Sequence, residues 1–140
     1  MQIKPYIAEP SRRTPGIVLG EGRILIMGRS IPDNPREFYL PVVDWITEYV
    51  KISDGKTRVD LGFDFINTSS TKFIFLLLKQ LSETQDVSSK VSVTWYFEED
   101  DDDMAELGYI LRSLIECPFK IEGTMIIDQS FYETILAAFE

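Results

Sequence analysis

Thr57-Arg58-Val59-Asp60-Leu61-Gly62-Phe63-Asp64-Phe65-Ile66 runs directly into Asn67-Thr68-Ser69-Ser70-Thr71-Lys72, and the fold is decided at that junction. Val59, Leu61, Phe63 and Phe65 alternate with Arg58, Asp60, Gly62 and Asp64, the period of two that places one set of side chains on each face of a strand. The polar cluster then gives way to the apolar stretch Phe73 to Leu81. Its length through Glu83 and the polar residues in front of it predict a largely buried helix rather than a second strand. A strand that feeds a helix through a short polar turn is half of a parallel β-α-β unit.

Reading outward from this unit, the pattern repeats. Downstream, Val91 to Phe97 is apolar or aromatic at most positions and predicts a central strand. After the acidic run Glu98 to Asp103, Leu107, Ile110, Leu111, Leu114 and Ile115 share one helical face, ended by Pro118. Phe119 to Ile127 predicts the last strand, and Phe131 to Phe139 a short terminal helix. Upstream, Ile17 to Leu19 and Arg23 to Gly28 flank Gly20-Glu21-Gly22 as the arms of a hairpin. Asn34, Pro35 and Glu37 supply an N-cap, a first-turn proline and an acid at the third position. The helix they open carries Val42, Val43, Ile46, Tyr49 and Val50 on one stripe, with a kink expected at Pro41. Residues 1–16, with Pro5, Pro10 and Pro15, read as an extended arm holding one edge strand at Ile3 to Ile7.

The order β-β-α-β-α-β-α-β-α therefore predicts a single α/β domain over residues 1–140. Its mixed sheet is parallel, with an antiparallel N-terminal hairpin at one side and three to four helices packed on it. A chain of 140 residues with 44% hydrophobic residues has enough apolar material for a real core.

Charge and absences narrow the chemistry. Fourteen Lys and Arg against twenty-three Asp and Glu leave a net charge of −9, which argues against nucleic acid or an anionic membrane as partner. Histidine is absent, removing the usual general base and the commonest neutral metal ligand. The single cysteine, Cys117, excludes an internal disulfide or a cysteine-cluster zinc site and reads as a packing residue. No signal-peptide core follows Met1, and the longest apolar run, Phe73 to Leu78, falls far short of the ~20 residues of a membrane span. The expectation is a cytoplasmic protein without metal or cofactor.

The junction Asn67 to Lys72 carries the most information. At the carboxyl end of a strand in an α/β sheet, ligands and reactive groups usually gather. Thr68, Ser69, Ser70 and Thr71 hold more hydroxyls than capping requires, since one N-cap oxygen satisfies one amide. On residue type the cluster reads either as ordinary capping or as a phosphoacceptor. A phosphate there would lie beside exposed amides and the positive helix end, within reach of Lys72. Asp60 and Asp64, on one face of the preceding strand, read either as solvated polar positions or as paired carboxylates for acid/base work. The run Glu98 to Asp103 lacks the donor spacing and central glycine of a calcium loop. It reads as a solvated loop, or as a surface for a basic partner. Trp45 and Trp95 read as core.

Several segments carry a family likeness: Ile31-Pro32-Asp33-Asn34, Val42-Val43-Asp44-Trp45, Val59-Asp60-Leu61, Asn67-Thr68-Ser69-Ser70 and Val91-Ser92-Val93-Thr94-Trp95-Tyr96. With Thr14-Pro15 and Cys117-Pro118-Phe119-Lys120-Ile121, they resemble the SiaC family of bacterial regulatory phosphoproteins from about Thr14 to Ile127. The resemblance implies a fold akin to the anti-sigma-factor antagonists and a partner switch without catalysis. It implies phosphorylation at Thr68, with Ser69 and Ser70 as secondary candidates and Asn67, Thr71 and Lys72 as switch surface. It also implies a dedicated Ser/Thr kinase, a PP2C-type phosphatase and an effector such as a diguanylate cyclase, bound and activated by the unphosphorylated form. The output would be cyclic-di-GMP signalling and biofilm behaviour. Two other readings remain open at this point: a small enzyme using Asp60 or Asp64, and a constitutive acidic adaptor.

Overall fold

The structure is a computed structural model and describes residues 3–138. Met1 and Gln2 of the arm, Phe139 of the expected terminal helix, and Glu140 lie outside the described residues. The strands are β1 (Tyr6–Ala8), β2 (Gly16–Gly20), β3 (Arg23–Ser30), β4 (Thr57–Ile66), β5 (Val91–Glu98) and β6 (Phe119–Thr124). The helices are α1 (Pro35–Ile52), α2 (Thr68–Leu81), α3 (Val87–Lys90), α4 (Asp102–Arg112) and α5 (Gln129–Ala138). The extra helix beyond the expected four is the single turn α3.

One six-stranded sheet holds the strands in chain order, β1-β2-β3-β4-β5-β6. β1, β2 and β3 pair antiparallel, and β3 through β6 pair parallel. Glu21-Gly22 closes the β2–β3 hairpin, with Gly22 at φ +79°, a left-handed conformation that glycine adopts without a Cβ penalty. Right-handed crossovers between neighbouring parallel strands put their connecting helices on one face. There α1, α2 and α4 bury Ile46, Leu77 and Leu111 against Ile26, Leu61 and Trp95 of the sheet. Each such side chain contributes about 1.5–3 kcal/mol. Gly108 of α4 is seated on the Trp95 indole, where any added Cβ would collide with the ring.

The opposite face is covered by α5 alone among the helices. Tyr132 and Ile135 pack on Leu25, Met27 and Tyr96. Arg23 is buried between the layers, donating to the Ile135 carbonyl at 2.9 Å and the Leu136 carbonyl at 3.4 Å. Arg23 thus ties the last turn of α5 to the sheet. Burial lowers the Arg23 pKa, while the nearby Asp60 carboxylate raises it in part.

Several boundaries depart from the sequence reading. The edge strand lies at Tyr6–Ala8 rather than Ile3 to Ile7, since Pro5 has no amide to give to a ladder. α1 includes the exposed Pro41, as expected, and continues to Ile52. Asn34 caps it as expected, its Oδ1 accepting from the Glu37 amide at 3.0 Å. α2 is amphipathic rather than largely buried, with Leu76 facing solvent. α4 ends at Arg112 and buries Met104, Gly108 and Leu111, leaving Ile110 48% exposed. β6 stops at Thr124, so Met125 and Ile126 lie in an exposed connection to α5 and not in a strand.

Candidate functional site

The β4–α2 junction sits at the carboxyl end of the sheet, and the structure divides its polar residues by task. Asn67 is the N-cap: its Oδ1 accepts from the Ser70 amide at 2.8 Å, and its carbonyl accepts the Thr71 hydroxyl at 3.0 Å. The Asn67 amide in turn donates to the Ser30 carbonyl at the end of β3. Ser70 points inward with no exposed surface. Its hydroxyl accepts from Ser30 Oγ at 2.9 Å and donates to the Ser30 carbonyl at 3.4 Å, and Ser30 Oγ shares a 2.6 Å hydrogen bond with the Tyr39 hydroxyl of α1. This chain ties α1, β3 and α2 together beneath the turn. Burial pushes the Tyr39 phenol up to about 12, so it stays neutral and keeps its proton for the network. The Tyr39 ring stacks on Phe73 of α2 at 5.5 Å.

Thr68 and Ser69 remain. Both are exposed, and among the described residues neither hydroxyl takes part in a hydrogen bond. Thr68 is the first residue of α2, so its amide and that of Ser69 precede the first intrahelical bond. Lys72 is exposed one turn on, and no Asp or Glu occurs anywhere in α2. Phe65 is 52% exposed just before the turn, and Leu76 is 39% exposed along the helix. The junction therefore presents a neutral-to-basic surface with apolar side chains, in a molecule of net charge −9. Two secondary expectations are revised here. Ser70 is inaccessible to an enzyme because its hydroxyl is committed to Ser30, and Asn67 serves the cap before any surface role.

The carboxylates on β4 are not as expected either. Asp60 is fully buried, not solvated, because α5 covers that face. Its Oδ2 accepts from Arg58 Nε at 2.9 Å and lies 3.9 Å from Arg23. Its Oδ1 accepts from the Tyr96 hydroxyl at 3.4 Å. Burial, and then the Asp60 charge, raise the Tyr96 pKa. Asp64 is held by Arg29 through two bonds to Oδ2, at 2.9 and 3.2 Å. Each acid is thus part of a separate ion pair. A concavity of about 660 Å³ beside Asp64, between the arm at Arg12 and Tyr132 of α5, does not reach Thr68.

In the acidic run, Glu98 accepts from the Ile127 amide and Asp101 caps α4 through the Met104 amide. Among the described residues no group of His, Cys, Asp or Glu side chains is arranged to hold a metal ion. No helix there is long and apolar enough to cross a membrane. Trp45 and Trp95 are core residues, their indoles donating to the carbonyls of Lys4 and Met104. Cys117 packs against the core, and burial pushes its thiol up to about 11.

Fold and junction together define a small α/β domain whose exposed hydroxyls stand on a rigid, internally cross-braced turn. The chain belongs to the SiaC family of regulatory phosphoproteins, whose model matches residues 8–124. An uncharacterised protein of Pseudomonas aeruginosa strain UCBPP-PA14 is 30% identical over 102 residues, 73% of this chain and 81% of that protein. The crystal structure of apo-SiaC from Pseudomonas aeruginosa superposes with a TM-score of 0.77 at 27% identity, covering 86% of this chain and all of that one. SiaC in the crystal structure of the diguanylate cyclase SiaD with its activator SiaC, also from Pseudomonas aeruginosa, superposes with a TM-score of 0.70 at 28% identity. That match covers 85% of this chain and 99% of the other.

Proposed function

We propose that this protein is a non-catalytic partner switch of the cytoplasm. A Ser/Thr kinase phosphorylates Thr68, a PP2C-type phosphatase restores it, and the unphosphorylated form binds and activates a diguanylate cyclase. The observation that carries the reading is the division of labour at the turn. Asn67, Ser70 and Thr71 meet the structural needs, leaving the Thr68 hydroxyl exposed and uncommitted at the first position of α2. The cyclase follows from the SiaC relative found in complex with one.

The mechanism is local. Unphosphorylated, the turn offers Phe65, Leu76 and uncharged hydroxyls to a partner. A phosphate adds about −1.5 to −2 charges at the centre of that surface. Docking would then require stripping water from a dianion, so binding is lost without refolding. Ser69 is the secondary acceptor. Asp60, sealed beneath α5 and ion-paired, supports no acid/base role, and Glu98 and Asp101 have structural tasks that account for part of the acidic run.

The test is to phosphorylate the protein quantitatively, map the site, and titrate both forms against the cognate cyclase. Phosphate on Thr68 with affinity reduced at least tenfold is the expected result. Equal affinity of the two forms would refute the switch. Binding that depends on salt and on Glu98 to Asp103, but not on Thr68, would favour the adaptor instead.

A further inference from the structure

β6 closes one side of the sheet and pairs only with β5 among the described strands. The carbonyls of Pro118 and Thr124 accept from the amides of Val93 and Glu99, so even-numbered positions of β6 turn their backbone groups toward β5. The alternation of a strand then directs the N–H and C=O groups of Phe119, Ile121 and Gly123 outward. Such a row is a template for another strand. The helix layer also ends here, since α4 packs against β5 and β6 and exposes Tyr109 and Ile110.

We propose that the occupant of this edge is a second copy of the chain, with β6 pairing antiparallel to β6 about a two-fold axis at Ile121. Register and charge select this pairing. Outward-facing groups meet only when odd positions face odd positions, which leaves two-fold centres at 120, 121 or 122 near the middle of the strand. A centre at 120 sets Lys120 against the partner's Lys120, and a centre at 122 sets Glu122 against the partner's Glu122. Like charges directly opposite are unfavourable. A centre at 121 sets Lys120 against the partner's Glu122, twice by symmetry. These positions fall at the non-hydrogen-bonded pairs, where side chains stand closest. Lys120 and Glu122 already lie 2.9 Å apart within one chain, on the same face, with Lys120 exposed and Glu122 half-buried. Phe119, Ile121 and Gly123 of each copy then exchange their free amides and carbonyls, and the two sheets become one of twelve strands.

Sedimentation velocity over a concentration series tests this. The expected species is a dimer of twice 16.1 kDa. Lys120→Glu and Glu122→Lys, each made alone, turn both cross-strand pairs repulsive and weaken self-association by about thirtyfold. Neither side chain is in the core, so circular dichroism and Tm should stay near those of the parent. Mixed together, the two single variants restore both opposite-charge pairs and form a heterodimer. The doubly exchanged protein dimerises like the parent. A parent that stays monomeric up to about 1 mM overturns the proposal. So does a dimer indifferent to either substitution, or a mixture that fails to associate.

Discussion

Replacing Thr68 by Asp separates a surface switch from a folding switch. Thr68 is the first residue of α2, its amide and that of Ser69 have no intrahelical acceptor, and the first turn contains no acid. A carboxylate there is stabilised by the positive helix end, by about 0.3–1 kcal/mol. Lys72 lies four residues on, the orientation that adds about 0.2–0.5 kcal/mol. The Asn67 cap and the Ser70–Ser30–Tyr39 chain do not involve the Thr68 side chain and stay intact. The expected gain is therefore about 1 kcal/mol, or roughly 3 °C in Tm for a chain of this size. Affinity for the cyclase should fall in the same protein. Differential scanning calorimetry at low ionic strength reads the first quantity, and isothermal titration the second. The stabilisation should shrink in ~1 M salt, where the Debye length is about 3 Å. If Thr68→Asp instead lowers Tm by several degrees, the charge disrupts the turn and the surface mechanism is wrong.

Ser70→Ala should lower stability by about 1 kcal/mol in urea unfolding, through loss of the bond to Ser30, while phosphate incorporation at Thr68 is unchanged. Arg23→Met leaves Asp60 with Arg58 and Tyr96 only and removes the tie between the sheet and the last turn of α5. A loss of about 3 kcal/mol is expected, with proteolytic nicking appearing first between Met125 and Gln129. The neutral Tyr39 phenol, raised to about 12 in the fold against 10.0 otherwise, contributes stability that is full below pH 10. That contribution is lost as pH climbs toward 12, and the loss should be shallower in Tyr39→Phe when unfolding is followed over this range.

The parallel units were legible because their strands alternate cleanly and their turns carry strong cap chemistry. What was misplaced depended on distant contacts. Ile110 sits on the same sequence stripe as Leu107 and Leu111, yet the helix rolls to lay Gly108 on Trp95, and a glycine gives no apolar signal. Met125-Ile126 continues the apolar run of β6 but serves to carry the chain to the other face. Asp60 looked solvated because the helix that buries it follows it by some seventy residues. The hydroxyl cluster at 68–71 stood out in the sequence. Which member turns inward did not, since Ser30 and Tyr39, from other elements, decide it.

Because strand order in space equals strand order in the chain, the sheet can assemble as the polypeptide leaves the ribosome. Each new strand finds its neighbour already in place, and each helix closes over a finished pair. Only α5 breaks this rule, arriving last yet covering β3, formed more than a hundred residues earlier. Until then Leu25 and Met27 face water on a half-covered sheet. The charges of Arg23, Arg58 and Asp60 on the same face keep that nascent surface wet, and they become the clamp when the last helix lands.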